Sequence, residues 1–141
     1  MLRTPNGADT FGSNLYTQTH MAAFTELLSS IKREDEAFSV TLHDSWLQGR
    51  TAYGGLSAAL CVEAALRAVP DVPPLRSAQF ALIGPAAGPL AITVQLLRRG
   101  KSAAFLEVDL TGEAGLAVHA ILSFGTARDS ALRYQNLPMP P

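Results

Sequence analysis

Only one stretch of this 141-residue chain can form a long helix, residues 55–69 of "GGLSAALCVEAALRAVP". It starts at a glycine pair, runs through alanine and leucine, and stops at Pro70, where "PDVPP" forbids continuation because proline lacks a backbone donor and clashes with the preceding turn. Beyond it the chain reads as strand. Segments 76–83, 90–98, 103–111 and 116–126 are rich in β-branched and aromatic residues and are separated by glycine- and proline-bearing turns. A further strand, "AFSVTL" at 37–42, precedes the helix with Phe38, Val40 and Leu42 in alternation. Five strands with short connections make an antiparallel sheet, and one face must be covered. The expected architecture is therefore α+β: a five-stranded antiparallel sheet wrapped around one long central helix. Ala58, Ala59, Ala64, Ala65 and Ala68 let the sheet approach that helix closely.

Strand parity sharpens the expectation. In 103–111, Ala104, Leu106, Val108 and Leu110 face one way while Phe105, Glu107 and Asp109 face the other. In 116–124 the matching apolar set is Leu116, Val118, Ala120, Leu122 and Phe124, with His119 and Ser123 opposite. Residues 1–20 have no periodicity and read as a leader, 21–36 as an amino-terminal helical segment with Thr19 or Thr25 as its cap, 37–130 as the folded domain, and 131–141 as a tail or the start of a linker.

Composition excludes several functions. A net charge of −1 leaves no electrostatic footprint for nucleic acid, and Glu63 and Arg67 interrupt the longest apolar run before it could span a membrane. One cysteine, Cys61, permits no internal disulfide, and three scattered histidines form no recognisable metal site. With no secretory pattern at the amino terminus, the expectation is a cytoplasmic protein needing no cofactor.

The order strand, loop, "YGG"-helix and four antiparallel strands resembles the hotdog fold. Within it, "WLQGRTAYGGLSAAL", "PPLRSAQFALIGPAAGPL", "LLRRGKSAAFLEVDL" and "ILSFGTAR" resemble the amino-terminal half of acyl-CoA thioesterase II-like proteins, over about 40–128. The resemblance implies an acyl-CoA substrate. Members of that family usually carry two hotdog halves in one chain, with the catalytic aspartate, threonine and glutamine mostly in the second. Either this chain is one part of such a double unit or two copies pair, as a dimer or a dimer of dimers. Sheet extension through 103–111 is the expected mode of pairing.

Thioester hydrolysis needs a group that polarises the carbonyl and one that activates water or attacks. Unpaired N–H groups at the start of the 55–69 helix, on Gly55 and Leu56, are candidates for the first role, although the glycines serve a tight turn equally well. Glu63 follows Gly55 by eight positions and Gln48 precedes it by seven. Glutamine, glycine and glutamate are similarly spaced in single-domain hotdog thioesterases of the hydroxybenzoyl-CoA type. That resemblance implies Glu63 as base or nucleophile, Gly55 as oxyanion donor and Gln48 as the residue orienting the thioester, with Tyr53 standing where those enzymes commonly have histidine. Arg67, four residues after Glu63, offers the competing account of a helical ion pair. Trp46, Tyr53 and Gly54 are candidates to line the substrate site, and Arg99 and Lys101 to meet coenzyme A phosphates. Ser57 is no hydrolase nucleophile, because "GLSAA" lacks the second glycine of the G-x-S-x-G elbow. Two functions follow: an acyl-CoA thioesterase acting in a cleft between two hotdog units, or a noncatalytic acyl-CoA-binding half.

Overall fold

A computed structural model describes residues 23–132 and residue 138. Helix α1 (Phe24–Ser30) and strands β1 (Lys32–Glu34) and β2 (Ala37–Leu42) come first. A single 3-10 turn (Asp44–Trp46) and two short strands, β3 (Leu47–Gln48) and β4 (Thr51–Ala52), lead into helix α2 (Gly54–Ala68). Four strands complete the fold: β5 (Leu75–Leu82), β6 (Gly88–Arg99), β7 (Ala103–Gly112) and β8 (Gly115–Gly125). The main sheet runs β1-β2-β6-β7-β8-β5, antiparallel throughout, and β3 pairs with β4 in a separate two-stranded ribbon.

Five features depart from the sequence expectation. The sheet has six strands rather than five, because Lys32–Glu34 folds back on β2. Its three residues are all exposed and charged, so backbone hydrogen bonds and not apolar burial define the strand. Of the described part of 21–36, which begins at Ala23, Phe24–Ser30 is helical, and its first turn is closed by Glu26, whose carboxylate accepts the Ala23 N–H at 3.1 Å. Thr25 sits inside the helix rather than capping it, and Thr19 lies outside the described residues, as do the leader over 1–20 and most of the tail over 131–141. The connection between β2 and α2, expected as loop, contains the β3–β4 ribbon.

The fourth departure concerns the long central helix. At about 1.5 Å per residue α2 is roughly 22 Å long, whereas the 12 residues of β6 extend roughly 40 Å. The helix packs on β6, β7 and β8, so it covers the middle of the sheet and is not enclosed by it. The fifth is topological. β7 is hydrogen-bonded to β6 on one side and β8 on the other, which leaves 103–111 no free edge to extend; among the described strands the open edges are β1 and β5.

Parity holds on β7, where Ala104, Leu106, Val108 and Leu110 are fully buried. On β8 it holds for Val118, Ala120, Leu122 and Phe124 but fails at Leu116, which is 38% exposed while Ala117 is buried. The cause is a bulge. Leu110 pairs with Val118 and Thr111 with Leu116, so Ala117 is the extra residue that reverses the facing of the strand end. No described helix is long and apolar enough to cross a membrane.

Candidate functional site at the start of α2

Tyr53 precedes α2 in extended conformation and its carbonyl accepts both the Leu56 N–H at 2.9 Å and the Ser57 N–H at 3.3 Å. Leu56, one of the two candidate oxyanion donors, is therefore engaged. The N–H groups of Gly54 and Gly55 have no partner among the described residues, as expected of the first turn of a helix. Both glycines are closely approached. A Cβ on Gly54 would stand 2.9 Å from Leu82 Cδ1, and one on Gly55 would run into the Tyr53 ring.

A cavity of about 290 Å³ opens here, lined by Gln48 from β3, Tyr53 and Gly54, Ser57 from the first turn of α2, and Leu82 and Ile83 at the end of β5. Its walls are pinned by backbone hydrogen bonds. Ala52 N–H donates to the Ala86 carbonyl at 2.7 Å, Ala86 N–H to the Thr51 hydroxyl at 3.0 Å, and Ile83 N–H to the Ala117 carbonyl at 2.8 Å. Ser57 is the one buried polar residue among those described, 2% exposed, and it lines the cavity. Its hydroxyl is not among the enclosed polar atoms left without a partner, of which the Trp46 indole N–H is the one described. A second hollow of about 470 Å³ shares Thr51, Ile83 and Gly84 with the first and carries Arg50 on its wall, an exposed cation without an ion pair among the described residues.

The structure brings Gln48, Tyr53 and Gly54 together around the cavity, with Gly55 adjoining them. It does not bring in the others. Trp46 is half-buried against the core, with its indole N–H enclosed and unpartnered. Glu63 lies two turns along α2, where its carboxylate accepts from Arg67 Nε at 2.8 Å. Arg67 also donates to the Leu28 and Ile31 carbonyls at 2.9 and 3.1 Å, so the pair braces the end of α1 against α2. Arg99 donates to the carbonyls of Pro70 and Asp71 just past the far end of α2, and Lys101 is exposed in the turn beyond it. Within one protomer both stand roughly a helix length from the cavity. Ser57, Arg50, Leu82 and Ile83 escaped the sequence as site residues. Arg50 alone carried a local signal, as the cation of "QGRTAYGG".

Cys61 is buried on α2, and burial pushes its thiol from an ordinary 9.0 up to about 12, with the negative charge of Asp109 adding to the effect. The thiolate is the reactive form. Iodoacetamide at mildly alkaline pH is therefore expected to leave Cys61 unmodified in the native chain and to modify it readily in urea; equal rates would mean that the helix does not stay packed. The unfolded chain ionises first, so the thiol's contribution to stability is intact below pH 9.0 and is lost as pH climbs towards about 12.

Residues 42–125 match the acyl-CoA thioesterase N-terminal domain family. Among solved structures, the chain is similar to a hot dog fold protein of unknown function from Alicyclobacillus acidocaldarius, at 18% identity and a TM-score of 0.72, over 86% of this chain and 47% of that one. It is also similar to an acyl-CoA thioesterase II from Mycobacterium marinum, at 19% identity and a TM-score of 0.62, over 82% of this chain and 43% of that one. The zebra fish thioesterase superfamily member 2 aligns at 20% identity and a TM-score of 0.63, over 77% of this chain and 89% of its own. At these identities the likeness is one of fold, the α+β hotdog with an antiparallel sheet. The chain spans about half the length of the first two. A comparison with curated proteins gives no match.

Proposed function

Because this chain belongs to the acyl-CoA thioesterase N-terminal domain family, we propose that it hydrolyses acyl-CoA thioesters in a cleft between two hotdog units and supplies the carbonyl-binding end of that cleft. One observation carries the proposal: free helix-start N–H groups, a glutamine and a serine meet at one cavity. In this reading the thioester carbonyl oxygen points at Gly54 and Gly55, whose N–H groups and helix dipole stabilise the charge that develops there. Gln48 orients the thioester and the Ser57 hydroxyl donates to the same oxygen. Water adds to the carbonyl carbon, the C–S bond breaks, and the coenzyme A sulfur leaves with the proton that the water gives up.

No carboxylate or histidine lines the cavity among the described residues, so the proton acceptor has to come from the second unit. The β5 edge is where that unit would dock. It has an unpaired row of backbone groups, and Leu82 and the adjoining Ile83 are 62% and 58% exposed beside the cavity. A second copy there makes a homodimer with two such clefts, and further association a dimer of dimers. Arg50 takes the coenzyme A phosphates from the same chain; Arg99 and Lys101 take them only if they reach across from the partner.

The second reading, a noncatalytic acyl-CoA-binding half, is favoured by the Glu63–Arg67 brace, which occupies the carboxylate of α2. Thiol release from short, medium and aromatic acyl-CoAs decides between them, with Gln48→Ala and Glu63→Gln compared at matched oligomeric state. The expected result is turnover that falls about tenfold or more in Gln48→Ala and persists in Glu63→Gln. Collapse in Glu63→Gln would make that carboxylate the base or nucleophile. Binding without turnover would favour the noncatalytic half, and neither binding nor turnover would sink both readings.

A further inference from the structure

On the sheet face turned away from α2, Glu107, Asp109 and His119 converge, and we propose that they form a site for a divalent transition-metal ion of the zinc class. Glu107 and Asp109 are two apart on β7 and project to the same side, about 6.7 Å apart along the strand. His119 of β8 is directly opposite Asp109, at the spacing where cross-strand side chains touch. The three side chains thus stand at the corners of a small triangle. One ligand atom from each lies within 4.8 Å of the others. An ion bound at about 2.0–2.2 Å draws its ligand atoms to about 3.5 Å apart, which small side-chain rotations provide here.

Charge favours a cation. Two carboxylates on one strand face repel each other, and no lysine or arginine pairs with either among the described residues. His119 Nδ1 meets Asp109 Oδ1 at 2.7 Å but leaves Glu107 at 3.8 Å, outside hydrogen-bond range. Glu107 accepts no hydrogen bond among the described residues. The site is also shaped. Thr93 and Gln95 of β6, opposite Asp109 and Glu107 in register, wall a groove of about 120 Å³ against the two carboxylates, with room for water to complete a coordination shell. Ladders on both sides of β7 hold the arrangement in place. One imidazole nitrogen and two carboxylate oxygens suit zinc better than magnesium or calcium, which take oxygen ligands in larger shells. The site is independent of thioester chemistry, since its ligands alternate with the buried Leu106, Val108 and Leu110 that face the core.

Equilibrium dialysis of the full, chelator-stripped chain against zinc chloride tests this, with magnesium chloride as control. One zinc per chain is expected, with affinity at least about tenfold lower in Asp109→Asn, Glu107→Gln and His119→Gln and unchanged in His43→Gln. In the unsubstituted chain, zinc should shift the imidazole resonances of His119 and spare those of His43, a readout that no variant has to survive folding to give. No zinc retained, or retention untouched by the three substitutions with His119 resonances unmoved, would overturn the proposal and leave the cluster as a hydrogen-bonded pair beside a glutamate.

Discussion

Ser57→Ala is expected to lower kcat for acyl-CoA hydrolysis by about 100-fold while leaving the unfolding midpoint where it was or slightly higher. Ser57 is 2% exposed and lines the cavity in the first turn of α2, so its hydroxyl is placed to meet what the cavity holds. Alanine is the better helix former and is smaller by one oxygen, so the fold loses little or nothing. If the carbonyl oxygen accepts from the hydroxyl as it gains negative charge, the bond strengthens on the way to the transition state, and its loss falls on kcat with KM little changed. A hydroxyl that merely fills space would leave kcat alone, and unchanged steady-state kinetics in Ser57→Ala would remove it from the site. Ser57→Thr separates hydroxyl from volume. It keeps the donor and adds a methyl group to a cavity of about 290 Å³, so it should retain kcat better than alanine and raise KM.

Which cavity residues the sequence offers is a matter of sequence distance. Gln48, Tyr53 and Gly54 are close to the helix start in the chain, and a glycine pair before an alanine-rich run points to that start directly. Leu82 and Ile83 arrive from the end of β5, nearly thirty positions later, and only the fold puts them on the same cavity. Ser57 lies in the same short stretch, but the one motif that would single out a serine there, the G-x-S-x-G elbow, is absent. Glu63 shows a different limit. A glutamate four residues before an arginine satisfies the ion-pair rule and the catalytic spacing equally, and the carbonyls of Leu28 and Ile31 that Arg67 also meets lie 39 and 36 residues away, beyond any local pattern.

The sheet was legible where burial imposes alternation and illegible where hydrogen bonding alone makes the strand. β2, β7 and β8 alternate over most of their length and β6 over its first half, and the expected bounds of all five long strands, β5 included, fall within one to two residues of the observed ones. β1 is three exposed charges, and β3 and β4 have two residues each, too short for any period. The order of strands was legible least. Sheet extension through 103–111 is expected because an unpaired edge invites pairing, but nothing local in a strand says which neighbours it has, and β7 stands in the middle of the sheet.

That parity has a large energetic consequence, which a pair of phenylalanines isolates. Phe105 on β7 and Phe124 on β8 occupy neighbouring strands but opposite faces, the first 38% exposed and the second 1%. Phe124 pairs in register with Ala104, which is fully buried, so a small residue lies beside a large one and the ring fills the space the methyl leaves. Phe124→Ala should therefore destabilise the fold by about 3–5 kcal/mol, the transfer energy of the ring plus the cost of the void. The void cannot close easily. Phe124 is tied through β8 to both β7 and β5, and collapse would have to pull two ladders inward together. A domain of this size is stable by only about 5–15 kcal/mol, so the variant should lose at least about a fifth of the total. Phe105→Ala in the isolated domain removes a half-exposed ring from an open face and should cost about 1 kcal/mol or less. Urea unfolding of both variants checks the contrast: the midpoint drops steeply for Phe124→Ala at an unchanged m-value and barely moves for Phe105→Ala. Equal losses would mean that the outer face is itself buried in the native assembly, and they should then become unequal on dilution to the monomer.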